Sequence, residues 1–177
     1  NARNVLSNLA FILAGFWGLA RIGRQTSASS PFIWRFFYFS VIFVGLGSAF
    51  YHLSPANSPL LWDRLPMTLG LSALSAGIIS ERLGRRCGRA VFWPLVITGM
   101  LSVAYWWLTE KAGAGDLRPY ILVQYLPLVL VPLIMALFPK DQAANKPYWV
   151  LLAFYLLAKS FELQDEALFS LTGNFIS

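Results

Sequence analysis

The chain alternates between long apolar stretches and short polar connections. The apolar stretches cover about residues 4–20, 34–52, 65–80, 91–108, 119–138 and 147–163. Each approaches the roughly 20 mainly apolar residues with which a helix crosses a bilayer. The third stretch is short and the sixth has a polar end. Between them stand loop-forming combinations: Gly23 to Pro31, Ser54-Pro55-Ala56-Asn57-Ser58-Pro59, Gly84 to Arg89, Gly113 to Asp116 and Pro139 to Pro147. None has room for a soluble domain, and no internal repeat is evident. The pattern predicts an all-α, polytopic transmembrane helix bundle, a single domain over residues 1–177.

Polar groups within such stretches are costly in lipid, so their positions carry information. The first stretch opens with Asn4, Ser7 and Asn8, which share one helical face. The second ends with Ser48 and His52, one turn apart. The third is entered through Trp62-Asp63-Arg64-Leu65-Pro66-Met67, the fifth has Gln124 one turn in, and the sixth ends with Lys159, Glu162, Asp165 and Glu166. Starts of odd stretches and ends of even stretches lie on one side of a bundle, so all these groups fall in one leaflet. The opposite halves, such as 9–20, 36–46 and 128–138, are nearly free of ionisable groups. The expectation is a polar chamber opening toward one side only.

Composition agrees with lipid as the solvent. The chain is 57% hydrophobic and 12% charged, about half the charge of a soluble domain. Its net charge of +6 comes from residues in short loops, which suit membrane topology and anionic headgroups. No basic patch with interleaved aromatics suggests nucleic acid. Lys and Arg number nine on one side (Arg21, Arg24, Arg35, Arg82, Arg85, Arg86, Arg89, Lys140, Lys146) and four on the other (Arg3, Arg64, Lys111, Arg118). The richer side is expected to be cytoplasmic and the polar chamber to face away from it. The lone Cys87 has no partner for a disulfide or a CxxC motif. The chain opens on Asn1 and shows no identifiable signal peptide, so truncation at both ends is expected.

Each polar group also has a structural explanation. Asn4, Ser7 and Asn8 can cap and cross-link helix ends. Lys159 and Glu162 can form an i, i+3 ion pair, and Asp63 can favour a helix dipole. Convergence in one leaflet is what points to chemistry. A histidine, an aspartate, a serine and buried acids suit either a metal hydrolase or a proton-coupled transporter. Ser48 lacks the nucleophile-elbow setting of a serine hydrolase. A hydrolytic zinc site takes three protein ligands, and this chain has one histidine.

The string Gly45-Leu46-Gly47-Ser48-Ala49-Phe50-Tyr51-His52, followed by Trp62-Asp63-Arg64-Leu65-Pro66-Met67, resembles the signature of the alkaline ceramidase family. Asn4-Val5-Leu6-Ser7-Asn8 extends the likeness. Gly115-Asp116-Leu117-Arg118-Pro119-Tyr120 and Lys159-Ser160-Phe161-Glu162 with Asp165 resemble its bacterial branch. The resemblance implies a seven-helix scaffold, six helices of which are covered, in a bacterial inner membrane. It implies a zinc-dependent amidase that cleaves ceramide or a related lipid amide to a fatty acid and an amine. His52 would be one of three zinc ligands, Ser48 would donate to the metal site or the oxyanion, and Asp63 would orient or deprotonate the attacking water. The family's other two histidines, in a His-x-x-x-His pattern, are expected beyond Ser177, which would leave this fragment inactive alone. Asn4, Ser7, Asn8, Lys159, Glu162 and Asp165 would support the site. Only Asn1-Ala2-Arg3 precede the first helix, so no calcium site is expected. Two alternatives stand beside this reading: a receptor or binding protein on the same scaffold, and, ranked lower, a small proton-coupled transporter using Lys159, Glu162 and Asp165.

Overall fold

The computed structural model describes residues 2–22 and 30–164. Every regular element among them is helical: α1 (Ala2–Ser7), α2 (Leu9–Ile22), α3 (Pro31–Leu53), α4 (Asn57–Leu83), α5 (Arg85–Lys111), α6 (Arg118–Leu137) and α7 (Gln142–Leu163). Four stretches are long and apolar enough to cross a membrane: Val5–Ile22, Pro31–Leu53, Arg85–Lys111 and Arg118–Leu137. The protein is therefore an all-α membrane bundle. Two compact units are described, one running to Ile134 and the other starting at Met135.

The helices are longer than the hydropathy pattern indicated. Asn57 to Pro59, read as loop, form the first turn of α4, and Arg85 to Arg89 form the start of α5. Pro147 lies within α7, near its start. Pro59 is tolerated in the first turn of α4 because its missing N–H has no partner there, whereas Pro147, the sixth residue of α7, removes a helix hydrogen bond. Gly84 alone joins two helices of 27 residues each, with φ +103°. That backbone conformation is open to glycine and strained for any side chain.

The first predicted span is found as Val5–Ile22, with a one-residue break at Asn8. α1 ends at Ser7, and Asn8 forms a turn whose carbonyl accepts from the amides of Phe11 and Ile12 at 3.1 and 3.4 Å. Asn8 thus begins α2 rather than continuing one helix with Asn4 and Ser7, in keeping with the preference of Asn for helix starts.

α4 occupies the centre of the first unit, packed on α3 along one side and α5 along the other. Its middle, Ser72 to Ile78, is buried without a break. Small residues make this closeness possible, as in membrane helix pairs generally. Gly70 and Gly77 of α4 face Ser40 and Trp34 of α3. Gly99 of α5 lies against Thr68 and Ser72 of α4. Ser72 also donates to the Leu95 carbonyl of α5 at 3.0 Å. Enclosure by protein explains why α4 can be less apolar than α3. The aromatic core beside it comprises Ile33, Ala73, Ala76, Phe92 and Val96.

Candidate functional site

Two glycines of α3 set the geometry. A Cβ on Gly45 would stand 2.8 Å from the Asn8 carbonyl oxygen, so α3 lies directly on the turn between α1 and α2. A Cβ on Gly47 would run into the Trp62 carbonyl and come within 3.2 Å of the Asp63 Cα, so α3 touches the backbone of α4. Gly45, Ser48 and His52 follow i, i+3, i+7 spacing and share a face of α3. Ser48 lies in the wedge between the Gly45 and Gly47 directions. Both Ser48 and His52 are half-buried, and the His52 ring sits 5.5 Å from that of Tyr51.

Asp63 approaches α3 through its backbone, its Cα lying next to Gly47. It precedes Gly70 and Gly77 by one and two heptads, and those glycines face α3, so Asp63 belongs to the α3-facing stripe. It is half-buried and is the seventh residue of α4, beyond the first turn where a carboxylate serves the helix dipole. Pro66 adds a feature that went unread in the sequence. It has no N–H, so the Trp62 carbonyl lacks its i+4 donor where Gly47 crosses it.

Arg64 faces the other way. Its guanidinium lies 4.0 Å from the ring centroid of Trp106 on α5 and 5.2 Å from that of Tyr120 on α6. Nη1 is buried without a hydrogen-bond partner, so the aromatic faces supply the contact for this charge. Gln124 donates to the Tyr120 hydroxyl at 2.7 Å, and that hydroxyl reaches Met67 Sδ at 3.8 Å. Arg64 thus clamps α5 and α6, while the Asp63 backbone lies against α3 at Gly47. Trp106 and Tyr120 were not singled out as a pair by sequence. Aromatics within reach of an isolated buried cation were the available signal.

The link before α6 is tied down separately. Asp116 accepts two hydrogen bonds from the Arg118 side chain at 2.9 and 2.7 Å, one from the Arg118 amide at 3.0 Å and one from Tyr105 at 3.2 Å. The Arg118 hydrogen bonds hold the Asp116 carboxyl well below the usual carboxylate range. Asn57 at the start of α4 donates to Glu110 near the end of α5 at 2.9 Å.

The other predicted residues are placed less fully. Ser7 is exposed at the end of α1, and Asn8 is buried. Asn4 lies on α1 and Glu162 on α7, but their side chains fall outside the described set. Lys159 is buried on α7, in the second unit. Asp165 lies outside the described residues. Among the described residues no three His, Cys, Asp or Glu side chains could hold a metal ion together. His52 with Asp63 therefore does not make a zinc site by itself. An apolar groove of about 510 Å³ lies between α3 and α4, lined by Phe36, Phe43, Phe50, Trp62 and Leu69 among others. Its α3 face is the one opposite His52.

These features define a class: a multi-span helical membrane protein in which α3 lies against the α1–α2 turn at Gly45 and against the α4 backbone at Gly47. The sequence model of the ceramidase family matches residues 1–162, and the chain belongs to that family. Its members are hydrolases of amide bonds, and a lipid amide is the substrate type the family indicates. No curated protein and no solved structure matches the chain.

Proposed function

We propose that the protein hydrolyses the amide bond of ceramide or a related N-acyl lipid within the membrane, releasing a fatty acid and an amine. The observation that supports this reading is the close approach of Gly47 of α3, the neighbour of Ser48, to the Trp62–Asp63 backbone of α4. In this reading Asp63 takes a proton from water as the water oxygen bonds to the carbonyl carbon. The Ser48 hydroxyl donates to the carbonyl oxygen as negative charge develops there. The carbon–nitrogen bond then breaks, and the proton held by Asp63 passes to the leaving nitrogen. The site would face the non-cytoplasmic side of a bacterial inner membrane.

Zinc belongs to this proposal through the family resemblance, with His52 as one ligand. The described residues do not complete the ligand set, so the steps above run through the chain's own groups. The experiment is hydrolysis of a fluorescent ceramide by the full-length protein in lipid vesicles, before and after chelation. Release of labelled fatty acid that falls on chelation and returns with Zn²⁺ is expected. Turnover indifferent to exhaustive chelation would remove the zinc, and no hydrolysis of any N-acyl lipid would remove the amidase.

A further inference from the structure

We propose that a groove at the opposite end of the first unit binds one anionic diacyl phospholipid, with its phosphate on Arg89 and Arg86 and its chains along the apolar face beyond Trp93. The groove has a volume of about 360 Å³ and is lined by Phe32 and Ile33 of α3 and by Arg89, Phe92 and Trp93 of α5. Its walls are firm. Ile33 and Phe92 are fully buried, and the Phe92 ring contacts Phe32 at 5.3 Å and Trp93 at 5.0 Å. Its rim is open, with Phe32 and Trp93 about half exposed, at 49% and 55%. A rigid apolar cleft with one guanidinium at its edge suits a molecule that is anionic at one end and hydrocarbon at the other.

The sequence of α5 continues the same design along the helix. Arg86, Arg89, Trp93, Ile97 and Met100 follow i, i+3, i+7, i+11 and i+14 spacing, and all five are exposed. Two cations, an interfacial indole and then only apolar side chains follow the depth profile of a lipid leaflet. Arg89 and Trp93 are separated by about 6 Å of helix rise. The headgroup layer on each side of a bilayer is of similar depth, roughly 5–8 Å. A further ~10 Å of rise leads to Met100, well within the hydrocarbon.

Charge complementarity fixes the sign of the occupant. The first turn of α5 carries arginines and no acid, so its cations sit on the positive end of the helix dipole. A phosphate there relieves both repulsions. This end of α3 and α5 lies on the side richer in Lys and Arg, where anionic headgroups are attracted to basic juxtamembrane positions. The groove is remote from the proposed chemistry, because Arg89 and Trp106 are about 25 Å apart along α5. The lipid is a bound structural or regulatory partner and not a substrate, so this inference does not depend on the proposed amidase.

The test is native mass spectrometry of the full-length protein released from mixed micelles of phosphatidylcholine and phosphatidylglycerol. The wild type should retain one phosphatidylglycerol in preference to phosphatidylcholine. Arg89→Gln should weaken retention roughly fivefold, and Arg86→Gln with it further still. Trp93→Ala should also weaken it, while Arg89→Lys should restore much of it. Lys140→Gln, a basic position in another loop, should leave it unchanged. Wild-type retention in both Arg89→Gln and Trp93→Ala would overturn the site. An equal loss in Lys140→Gln would show diffuse charge attraction only and also overturn it. Full competition by glycerol phosphate would assign the arginines to a soluble anion and refute the lipid.

Discussion

The most exposed point of this account is Gly47. An alanine there would place its Cβ 2.8 Å from the Trp62 carbonyl carbon and 3.2 Å from the Asp63 Cα. The Trp62 carbonyl oxygen is nearer still, so relaxation requires α3 and α4 to part by more than the roughly 0.7 Å that the carbonyl carbon alone would need. The obstacle is backbone, which cannot rotate aside as a side chain does. Overpacking of this kind costs about 1–3 kcal/mol, set against about 1 kcal/mol gained when alanine replaces glycine in a helix. Gly70→Ala is the matched control in the same helix pair, since its Cβ would meet Ser40 at an ordinary 3.5 Å. It keeps the propensity gain without the clash. Gly47→Ala should therefore be less stable than Gly70→Ala by about 2 kcal/mol, a difference of roughly 4–8 °C in melting for a chain of this size. Because the displaced atoms include Asp63, Gly47→Ala should also lose on the order of tenfold or more in lipid-amide turnover. Thermal unfolding of both purified variants decides it. If Gly47→Ala melts at or above Gly70→Ala, the close approach of α3 to Trp62 and Asp63 is wrong.

Other expectations follow from separate parts of the fold. Gly84→Ala should destabilise the α4–α5 junction by about 1–3 kcal/mol, because its φ is left-handed, and an unchanged unfolding midpoint would contradict this. Arg64→Lys should lower stability by about 1 kcal/mol, since an ammonium cannot stack on Trp106 and Tyr120 as a planar guanidinium does; a melting scan at fixed pH reads it. The Asp116 carboxyl is depressed by its Arg118 hydrogen bonds, so the stability it contributes is present above the unfolded carboxylate value of about 3.9 and is lost as pH falls below that. The melting difference between wild type and Asp116→Asn should thus be constant from neutral pH to about pH 5 and shrink progressively in stronger acid. A difference that changes near neutrality would point to another titrating group.

The helical bundle was legible because long apolar runs and few charges leave lipid as the solvent. Helix ends were less legible. Hydropathy marks where a chain leaves lipid, whereas hydrogen bonding continues the helix through Asn57, Arg85 and Gln142. The pairing of Ser48 with His52 was readable from i, i+4 spacing alone. Their relation to Asp63 was given only by the family resemblance, and the contact of Gly47 with the Trp62–Asp63 backbone could not be read from spacing. The seat of Arg64 on Trp106 and Tyr120 could not be read either, since it depends on which helices pack beside α4. The one-residue break at Asn8 within the first span was not legible either, as its polar side chain fits a helix face and a helix start equally well.

The central claim is that Asp63 and His52 serve one lipid-amide hydrolysis. The direct measurement is release of fatty acid from ceramide by the full-length protein in vesicles, comparing wild type with Asp63→Ala and His52→Ala at matched melting behaviour. Hydrolysis by the wild type and its loss in both variants is the predicted result. Full activity in either folded variant would contradict the account.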